Sequence, residues 1–310
     1  MKLSIVVPCY NEEKNVNLFY NEFVKVFKNF KNNYEFVFVN DGSKDNTFAE
    51  LKKIYEKGKE NVKVVNFSRN FGKEAAMYAG LTEADGDYIS IVDADLQQRP
   101  EVLLEMFNFL INNQSYDCVA AFQESRREGK VLQFFKRCFY GLINKISDVE
   151  FVQGASDFRV FKKSVRDAIV GLSENQRFTK GIFSFVGFNT YFMPYIPEER
   201  ANGVSKWSFV SLFKYAINGI IAFSTLPLKI SSFLGAVTIF GSFVYLLIAL
   251  IIGVNLTTMM LFFIITFFSG VQLLAIGVFS HYMAMMCGEV KKRPVYITKE
   301  ILDAKKKKNK

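Results

Sequence analysis

The sequence predicts an α/β domain with a mostly parallel sheet, followed by two membrane-spanning helices. Through residues 2–121, short runs typical of strands alternate with segments of helical periodicity. This alternation predicts a parallel sheet covered by helices on both faces. Residues 230–288 then contain no Asp, Glu, Lys or Arg, although 22% of the chain is charged. A bilayer crossing takes about 20 apolar residues, so this stretch is long enough for two helices.

The first three elements form a strand–helix–strand unit. Residues 2–8 are a short apolar run that ends in Pro8, as a buried strand does. Residues 12–30 carry apolar side chains at helical spacing, and residues 34–40 are rich in β-formers. The Asp-Gly-Ser sequence at residues 41–43 predicts a turn after the second strand.

The alternation continues through a second and a third helix. Asp45 is placed to cap a helix that ends near Tyr55. Residues 62–67 predict a third strand because they are a short run rich in β-branched side chains. Residues 72–84 predict the helix that follows it.

Residues 88–92 predict a fourth strand, which ends directly before Asp93. Pro100 lies near the start of a helix that runs to about residue 112, because proline is tolerated in a first turn. Residues 117–121 predict a fifth strand. Ligands of such sheets bind at the carboxyl ends of the strands. The polar clusters that follow those ends are Tyr10, Asn11 and Glu12; Asp41; Ser68, Arg69 and Asn70; and Asp93 and Asp95.

Asp93 and Asp95 are two carboxylates one residue apart at a strand end. Both can reach one hard cation, which in turn clamps a diphosphate. Gln97 adds a neutral oxygen close by. The alternative is a chance Asp-x-Asp in a loop, but the position after a buried strand favours a metal site.

Three further residues have both a functional and a structural interpretation. Asp41 can accept hydrogen bonds from a uracil or a ribose, or it can cap a helix or form an Asx-turn. Tyr10 can stack on a base or be an ordinary loop aromatic. Asp157 follows a Gly-containing turn, and it can act as a general base or pair with Arg159. The residues alone leave these alternatives open.

Basic segments lie between the predicted sheet and the apolar region. Arg200, Ser205 and Lys206 form a cationic and hydroxyl group that suits a phosphate or a lipid headgroup. Residues 131–146 and 209–221 are amphipathic with basic side chains. Such helices lie in a membrane interface, or else they are ordinary core helices.

Positive residues flank the apolar region at both ends. Lys229 precedes it, and residues 291–293 and 305–308 follow it, whereas the turn at residues 253–255 carries no charge. Positive residues stay on the cytoplasmic side, so the N-terminal region is expected to face the cytoplasm. We therefore expect a multi-pass protein of the cell's inner or plasma membrane. A buried hairpin in a soluble protein is the alternative, which so long a charge-free run disfavours.

The composition narrows the partners. The net charge of +9 fits attraction to anionic lipid headgroups, and no recognised nucleic-acid module accompanies it, so no nucleic-acid partner is expected. The cysteines lie far apart without paired spacing, which indicates neither a disulfide framework nor a zinc site. They are Cys9, Cys118, Cys138 and Cys287.

Several short motifs occur in order along nearly the whole chain. They are Val7-Pro8-Cys9-Tyr10-Asn11-Glu12, Val39-Asn40-Asp41-Gly42-Ser43, Asn70-Phe71-Gly72-Lys73-Glu74-Ala75-Ala76, Asp93-Ala94-Asp95-Leu96-Gln97, Asp157-Phe158-Arg159, Gly203-Val204-Ser205-Lys206-Trp207 and Lys292-Arg293-Pro294-Val295-Tyr296. Together they resemble the motifs of family 2 glycosyltransferases, in the dolichyl- or polyprenyl-phosphate sugar synthase branch and its bacterial two-span members. The chain departs from that pattern at Gln98-Arg99-Pro100, where relatives often read Asp-Pro-Pro.

The resemblance implies a GT-A fold, which is a Rossmann-like α/β sheet, and an inverting transfer of one sugar from a nucleotide to a polyprenyl phosphate. The roles it implies are nucleotide binding for Pro8, Tyr10, Glu12, Asp41 and Asp93; Mg²⁺ or Mn²⁺ binding for Asp93, Asp95 and Gln97; phosphate or acceptor binding for Arg126, Arg137, Arg200, Ser205 and Lys206; and a catalytic base for Asp157. A lipid phosphate is already mostly ionised at pH 7, so orienting the acceptor or a basic neighbour is the alternative for Asp157.

Four segments follow from the resemblance and the apolar region. We expect a cytoplasmic GT-A domain at residues 1–205, an interfacial helix at 206–228, a transmembrane hairpin at 229–289 and a basic tail at 290–310. Glucose or N-acetylglucosamine on UDP is the expected donor, ahead of mannose on GDP. The oligomeric state, a homo-oligomer included, stays open.

Two rival functions share parts of the pattern. A processive polysaccharide synthase would need more spans and a Gln-x-x-Arg-Trp-type motif, which the sequence lacks. A non-catalytic membrane scaffold of the same fold would not need the intact pair of Asp93 and Asp95.

Overall fold

The computed structural model describes residues 1–58, 61–122, 152, 155–172, 174–175, 177–195 and 257–304, with single helical positions at 141, 144, 233, 237 and 240. The strands are β1 Lys2–Cys9, β2 Asn33–Asn40, β3 Val62–Phe67, β4 Tyr88–Ile91, β5 Cys118–Phe122, β6 Ala155–Lys162, β7 Thr190–Pro194 and β8 Thr298–Leu302. The helices are α1 Val16–Phe27, α2 Thr47–Lys57, α3 Lys73–Glu83, α4 Pro100–Asn112, α5 Lys163–Gly171, α6 Thr179–Phe185 and α7 Thr257–Val290.

One eight-stranded sheet organises these elements, in the order β7-β5-β6-β4-β1-β2-β3-β8. Strand β1 pairs in parallel with β2 and β4, β2 with β3, and β5 with β7. Strands β6 and β8 run antiparallel to their neighbours. The predicted mostly parallel α/β sheet is therefore confirmed, and the carboxyl ends of β3, β2, β1 and β4 lie side by side.

The elements from β1 to β5 agree with the sequence-based expectation, apart from shifts at their ends. Strands β6, β7 and β8 are additional. Strand β8 lies within residues 290–310, where the sequence predicts a basic tail, and it pairs with the outer edge of β3. Its first three residues are exposed, so the local hydrophobic pattern is weak and the pairing partner decides the conformation.

Phenylalanines fill the space between the sheet and helix α1. The rings of Phe19 and Phe23 stack at a centroid distance of 4.1 Å. Phe36 and Phe38 of β2 meet Phe19 edge-on at 6.4 and 6.1 Å, which is a favourable aromatic geometry. All four side chains are fully buried. The high aromatic content of the chain therefore serves this core as well as the apolar region.

Helix α3 packs against the other face of the sheet at very short range. A Cβ atom at Gly80 would lie 2.2 Å from Cγ1 of Val6 and 3.3 Å from Cγ2 of Val39. The absence of a side chain at Gly80 therefore lets α3 lie directly on β1 and β2. This close approach sets the place where Lys73, the first residue of α3, emerges at the carboxyl edge of the sheet.

Helix α7 is 34 residues long. Within the residues that the structure describes, it contains one segment long and apolar enough to cross a membrane, Phe267–Val290, with 24 residues and a mean hydropathy of 1.4. Leu273, Ile276 and Phe279 are exposed on it, and an apolar surface of this kind suits lipid better than water.

The first predicted span, residues 230–252, lies outside the described residues except at three positions. Phe233, Val237 and Phe240 are helical and exposed. The prediction of two spans therefore stays a prediction, with one candidate helix described.

A buried carboxylate ties together the amino edge of the sheet. Glu35 of β2 accepts hydrogen bonds from Nζ of Lys2 at 2.5 Å and from Oγ of Ser4 at 2.6 Å. It also accepts the backbone N–H of Asp85 at 2.9 Å, and Nζ of Lys63 lies 3.7 Å away. Burial alone would raise the pKa of Glu35, but these partners outweigh it and hold the pKa below its ordinary value.

We expect Glu35→Ala to lower the free energy of unfolding by about 3 kcal/mol, because the nearly buried ammonium of Lys63 loses a carboxylate partner. This loss of stability lies at the low end of the range for breaking a buried ion pair, since Asp85 and Asp303 remain beside Lys63. In thermal unfolding of the detergent-solubilised protein, the melting temperature should fall by roughly 6–12 °C.

The pH dependence of this effect follows from the depressed pKa of Glu35. Such an acid stabilises the fold above its unfolded pKa of about 4.3 and loses that contribution as the pH falls through its lower folded value. The gap in melting temperature between wild type and variant should therefore close below about pH 4. Glu105→Ala, at an exposed position of α4, is the control, and an equally large effect there would contradict the role of Glu35.

Candidate active site

Hydrogen bonds between two loops define one side of the carboxyl edge. The backbone N–H of Asn11, after β1, donates to Oγ of Ser43, after β2, at 2.9 Å. In return the N–H of Lys44 donates to Oδ1 of Asn11 at 2.9 Å. Asn11 has a φ of 52°, a left-handed conformation that Asn tolerates better than most residues. The ends of β1 and β2 are thus held together as one surface.

The predicted nucleotide residues Pro8, Tyr10 and Glu12 lie along this surface, and all three are half-buried. The backbone N–H of Glu12 donates to Oγ1 of Thr47 at 2.8 Å, and its Oε2 accepts from Nδ2 of Asn15 at 2.6 Å. The structure therefore brings these residues to the carboxyl edge of the sheet, while their contacts with a nucleotide stay predictions.

Asp41 follows β2 and is only 2% exposed. Its Oδ1 accepts the backbone N–H of Phe71 at 2.7 Å, and its Oδ2 accepts the N–H of Gly72 and Nδ2 of Asn70, both at 3.0 Å. Burial raises the pKa of Asp41 above its ordinary value, and the two N–H bonds and the charge of Arg69 offset only part of that effect. Asp41 therefore holds the loop before α3. This role is additional to the two that the sequence suggested, which are nucleoside binding and a local cap or Asx-turn.

Gly42 makes this contact between the loops feasible. A Cβ atom there would lie 2.2 Å from the carbonyl carbon of Arg69 and 2.5 Å from the nitrogen of Asn70. The φ of Gly42 is 58°, which also favours glycine. The loops after β2 and β3 therefore touch through their backbones, and the carboxylate of Asp41 can reach its N–H partners.

The predicted metal residues Asp93, Asp95 and Gln97 follow β4 and are half-buried. The N–H of Gln97 donates to Oδ1 of Asp95 at 3.2 Å, around Leu96 with a φ of 62°. The N–H of Asp93 donates to Oε1 of the buried Gln98 at 2.9 Å. Gln98, where the chain departs from the family pattern, thus supports the backbone of Asp93.

Lys73 bridges carboxylates from two different strands. Its Nζ lies 2.8 Å from Oδ1 of Asp93 and 3.5 Å from Oδ2 of Asp157. Burial alone lowers the pKa of Lys73, but the two carboxylates outweigh it and hold the pKa well above its ordinary value. No role for Lys73 follows from the sequence motifs quoted above. The sequence feature that could have indicated a role is the position of Lys73 directly after Gly72, at the start of the helix that follows β3.

The direction of β6 explains how Asp157 reaches this point. Strand β6 runs antiparallel to β4, and Arg159 pairs with Ile91. Asp157 precedes Arg159 by two residues on the reversed strand, so it lies level with Asp93, which follows Ile91 by two. A residue from the amino end of β6 therefore joins the carboxyl edge of β4.

Among the described residues, Asp157 forms an ion pair with Lys73, whereas Nε of Arg159 donates to the carbonyl of Ser156 at 3.2 Å. Burial alone would raise the pKa of Asp157. The charges of Lys73, Lys180 and Arg159 outweigh this effect, so the pKa lies below its ordinary value. Asp157 is therefore ionised at neutral pH, and a carboxylate of low pKa is a weak general base.

The carboxylates after β4 suit a divalent cation. Within the described part of the chain, no group of three or more His, Cys, Asp and Glu side chains is arranged to hold a metal. Mg²⁺ commonly takes only one or two carboxylates and completes its shell with substrate phosphates, and the oxygen donors of Asp93, Asp95 and Gln97 match it or Mn²⁺. The ammonium of Lys73 beside Asp93 indicates that this point stabilises positive charge.

Other predicted residues lie outside the described part of the chain, and their roles stay predictions. They are Arg126, Arg137, Arg200, Ser205 and Lys206. The predicted amphipathic helices at 131–146 and 209–221 also lie there, apart from helical positions 141 and 144.

Residues 4–169 match the family model described as Glycosyl transferase family 2. The match spans more than half of the chain and includes Asp41, Lys73, Asp93 and Asp157. The chain therefore belongs to glycosyl transferase family 2, and the family resemblance inferred from the motifs is confirmed.

Individual relatives match over almost the whole chain. The uncharacterised glycosyltransferase sll0501 of Synechocystis is 37% identical over 307 residues, covering 97% of this chain and 96% of that protein. The prophage bactoprenol glucosyl transferase homolog of Escherichia coli is 36% identical over 308 residues, covering 97% and 99%. The bactoprenol glucosyl transferase of Shigella phage SfII is 36% identical over 307 residues, covering 97% and 98%.

We expect Lys73→Met to lower the rate of sugar transfer by about 10²–10³-fold, because it removes the positive charge beside Asp93 and Asp157. The measurement is the initial rate of nucleotide release from the sugar donor at saturating Mg²⁺. Lys53→Met, at an exposed lysine of α2, is the matched control and should keep the wild-type rate. A wild-type rate in folded Lys73→Met protein would contradict a role for the bridge.

Proposed function

We propose that this protein transfers one glucose from UDP-glucose to a polyprenyl phosphate at the cytoplasmic face of the membrane, with inversion at the anomeric carbon. The observation that carries the proposal is the 36% identity, over 97% of this chain, to proteins named for glucosyl transfer to bactoprenol. UDP-N-acetylglucosamine is the second candidate donor, and GDP-mannose is the third.

Two features of the structure support the proposal. The carboxyl edge combines oxygen ligands for a cation with the ammonium of Lys73, and this combination suits a sugar nucleotide because its diphosphate is strongly anionic. The apolar segment of α7 suits an acceptor that stays in the bilayer, since anchoring the enzyme there raises the effective concentration of that acceptor.

In the proposed reaction, an oxygen of the acceptor phosphate attacks C1 of the glucose while the bond from C1 to the diphosphate breaks, and UDP leaves. Asp93, Asp95 and Gln97 would hold a divalent cation, which when bound supplies positive charge to the leaving diphosphate. Lys73 lies beside Asp93, and its ammonium would add charge stabilisation for the same leaving group.

We assign Asp157 an orienting role rather than proton removal. A phosphate monoester carries about −1.5 to −2 charges at pH 7, so the acceptor needs no base. The pKa of Asp157 is also lower than ordinary, which suits an anion that holds Lys73 in place better than it suits a proton acceptor.

The division of the chain remains part of the proposal. It comprises a cytoplasmic catalytic domain at 1–205, an interfacial helix at 206–228, a transmembrane hairpin at 229–289 and a basic segment at 290–310 whose β8 completes the catalytic sheet. Arg126, Arg137, Arg200, Ser205 and Lys206 would contact phosphates of the donor or the lipid.

The reaction can be tested with purified full-length protein in detergent, undecaprenyl phosphate and Mg²⁺ or Mn²⁺. UDP-glucose, UDP-N-acetylglucosamine and GDP-mannose are supplied in parallel, and lipids are read by mass spectrometry. We expect a gain of one hexose with UDP-glucose, and no product with EDTA. A ladder of several sugars would indicate a processive synthase, and folded protein without any glycolipid would contradict the proposal.

The metal assignment has its own test. Asp95→Asn should lower the glucosyl transfer rate at least about 100-fold at any Mn²⁺ concentration, because one ligand charge is lost. Asp87→Asn makes the same change at the amino end of β4, where the carboxylate accepts the backbone N–H of Lys2, and should leave the rate unchanged. Equal rates in the two variants would rule out the metal role of Asp95.

A further inference from the structure

A short segment lies between the end of the apolar helix α7 and the group formed by Lys73, Asp93 and Asp157. It comprises the described residues Asn175 and 177–180, and we call it the arm. Thr179, the first residue of α6, donates its backbone N–H to Oε2 of Glu74 at 2.9 Å, and its hydroxyl donates to the same oxygen. Glu74 directly follows Lys73 in α3, so this end of the arm is one residue away from the ammonium that bridges the two carboxylates.

The middle of the arm is anchored by the buried guanidinium of Arg177. It donates to the carbonyls of Ile169 at 2.9 Å and Leu172 at 3.0 Å. These lie at the C-terminal end of α5, where unpaired carbonyls and the helix dipole favour a cation. Its Cζ also lies 4.2 Å from the ring centroid of Tyr78 on α3. The arm is thus fixed between α3 and α5.

The other end of the arm meets the apolar helix. The backbone N–H of Asn175 donates to Oε1 of Glu289 at 2.8 Å, and its Nδ2 donates to Oε2 at 3.2 Å. Glu289 is the last residue but one of α7. Both carboxylate oxygens are therefore used in one contact between the end of the apolar helix and the catalytic domain.

After α7 the chain returns to the same side of the sheet. The ring of Tyr296 stacks on Phe67 at 4.9 Å and meets Tyr78 edge-on at 6.2 Å. The N–H of Ser68 donates to the carbonyl of Ile297 at 3.0 Å. The chain that leaves α7 is thus packed against β3 and α3, while Glu289 near the end of α7 contacts the arm.

The surroundings of Glu74 shift its pKa. Burial is the main cause that raises its pKa to about 7, and repulsion from Asp157 adds to it, while the bonds from Thr179 and the charge of Lys73 offset part. The charged groups that face it are Lys73 on its own helix, Asp157 from β6 and Arg177 from the arm. Carboxylates with a shifted pKa beside other charged groups are common at functional sites.

We propose that the arm positions the membrane-borne acceptor, with Glu74 and Glu289 as the positioning residues that hold its two ends. Glu74 sets the start of α6, and with it Lys180, whose charge acts on Asp157. Glu289 sets the distance between the apolar helix and this side of the site. The inference rests on the proposed function, because it concerns an acceptor phosphate that stays at the bilayer surface.

The test compares two acceptors that carry the same phosphate chemistry: undecaprenyl phosphate in liposomes and a short, water-soluble prenyl phosphate. We expect Glu289→Ala to lower kcat/KM for the liposomal acceptor about 10-fold or more, since a displacement of about 1 Å can cost 100-fold. The soluble acceptor should lose less than threefold. A merely structural role of Glu289 would lower both rates together.

Glu74 is tested at the other end of the arm. Glu74→Ala should lower kcat with both acceptors, because it releases the start of α6 beside Asp157, while the dissociation constant for UDP stays within about twofold. Glu74→Gln retains an acceptor oxygen for Thr179 and should recover most of the rate. Glu300→Ala, an exposed carboxylate on β8, is the control for both tests.

The outcomes separate this inference from the proposed function. If wild-type protein makes no glycolipid, the proposed function fails. If wild type is active and Glu289→Ala keeps the wild-type rate with the liposomal acceptor, only the positioning role is overturned. Equal losses of Glu74→Ala and Glu74→Gln, with weakened UDP binding, would also overturn it.

Discussion

The ammonium of Lys73 joins carboxylates that reach it from strands of opposite direction, within 2.8 Å of Asp93 and 3.5 Å of Asp157. Two carboxylates this close would repel each other without a cation between them. Lys73 can stand there because Gly80 lets α3 lie directly on the sheet. The carboxylate of Asp41 also holds the loop before α3 through backbone N–H groups. The rest of the site is arranged around this one bridge.

The bridge also supports the proposal that this site binds a sugar nucleotide. The ammonium of Lys73 contacts Asp93, and Asp95 and Gln97 offer further oxygens at the same edge. A bound diphosphate would bring negative charge, and its metal would bring positive charge. Lys73 could then exchange its contact with Asp93 for a contact with the phosphate, while the metal pairs with Asp93, so that no charge is left unpaired. A family 2 glycosyltransferase needs this kind of balance, because the charge that it must stabilise develops on the leaving group.

The contacts of α7 extend the same reasoning to the membrane. In the proposed function the acceptor is a lipid confined to one plane, so its phosphate and the sugar meet only if the catalytic domain is held at a fixed height and orientation. Glu289 at the end of α7 contacts Asn175, and Thr179 on the same segment contacts Glu74. Two polar contacts on this segment therefore link the apolar helix and the neighbour of Lys73.

The sequence by itself determined the elements from β1 to β5, the carboxylates at the end of β4 and the charge-free region, because periodicity, turn residues and charge are local properties. Only the tertiary structure decided that Asp157 pairs with Lys73 rather than with Arg159, and that Asp41 holds a backbone loop. It also decided that β8 joins the sheet. The pairing of Asp157 and the place of β8 depend on the direction and register of β6 and β8, and the role of Asp41 depends on the backbone contact between the loops after β2 and β3. Such contacts between distant segments are set by packing partners that no local pattern encodes.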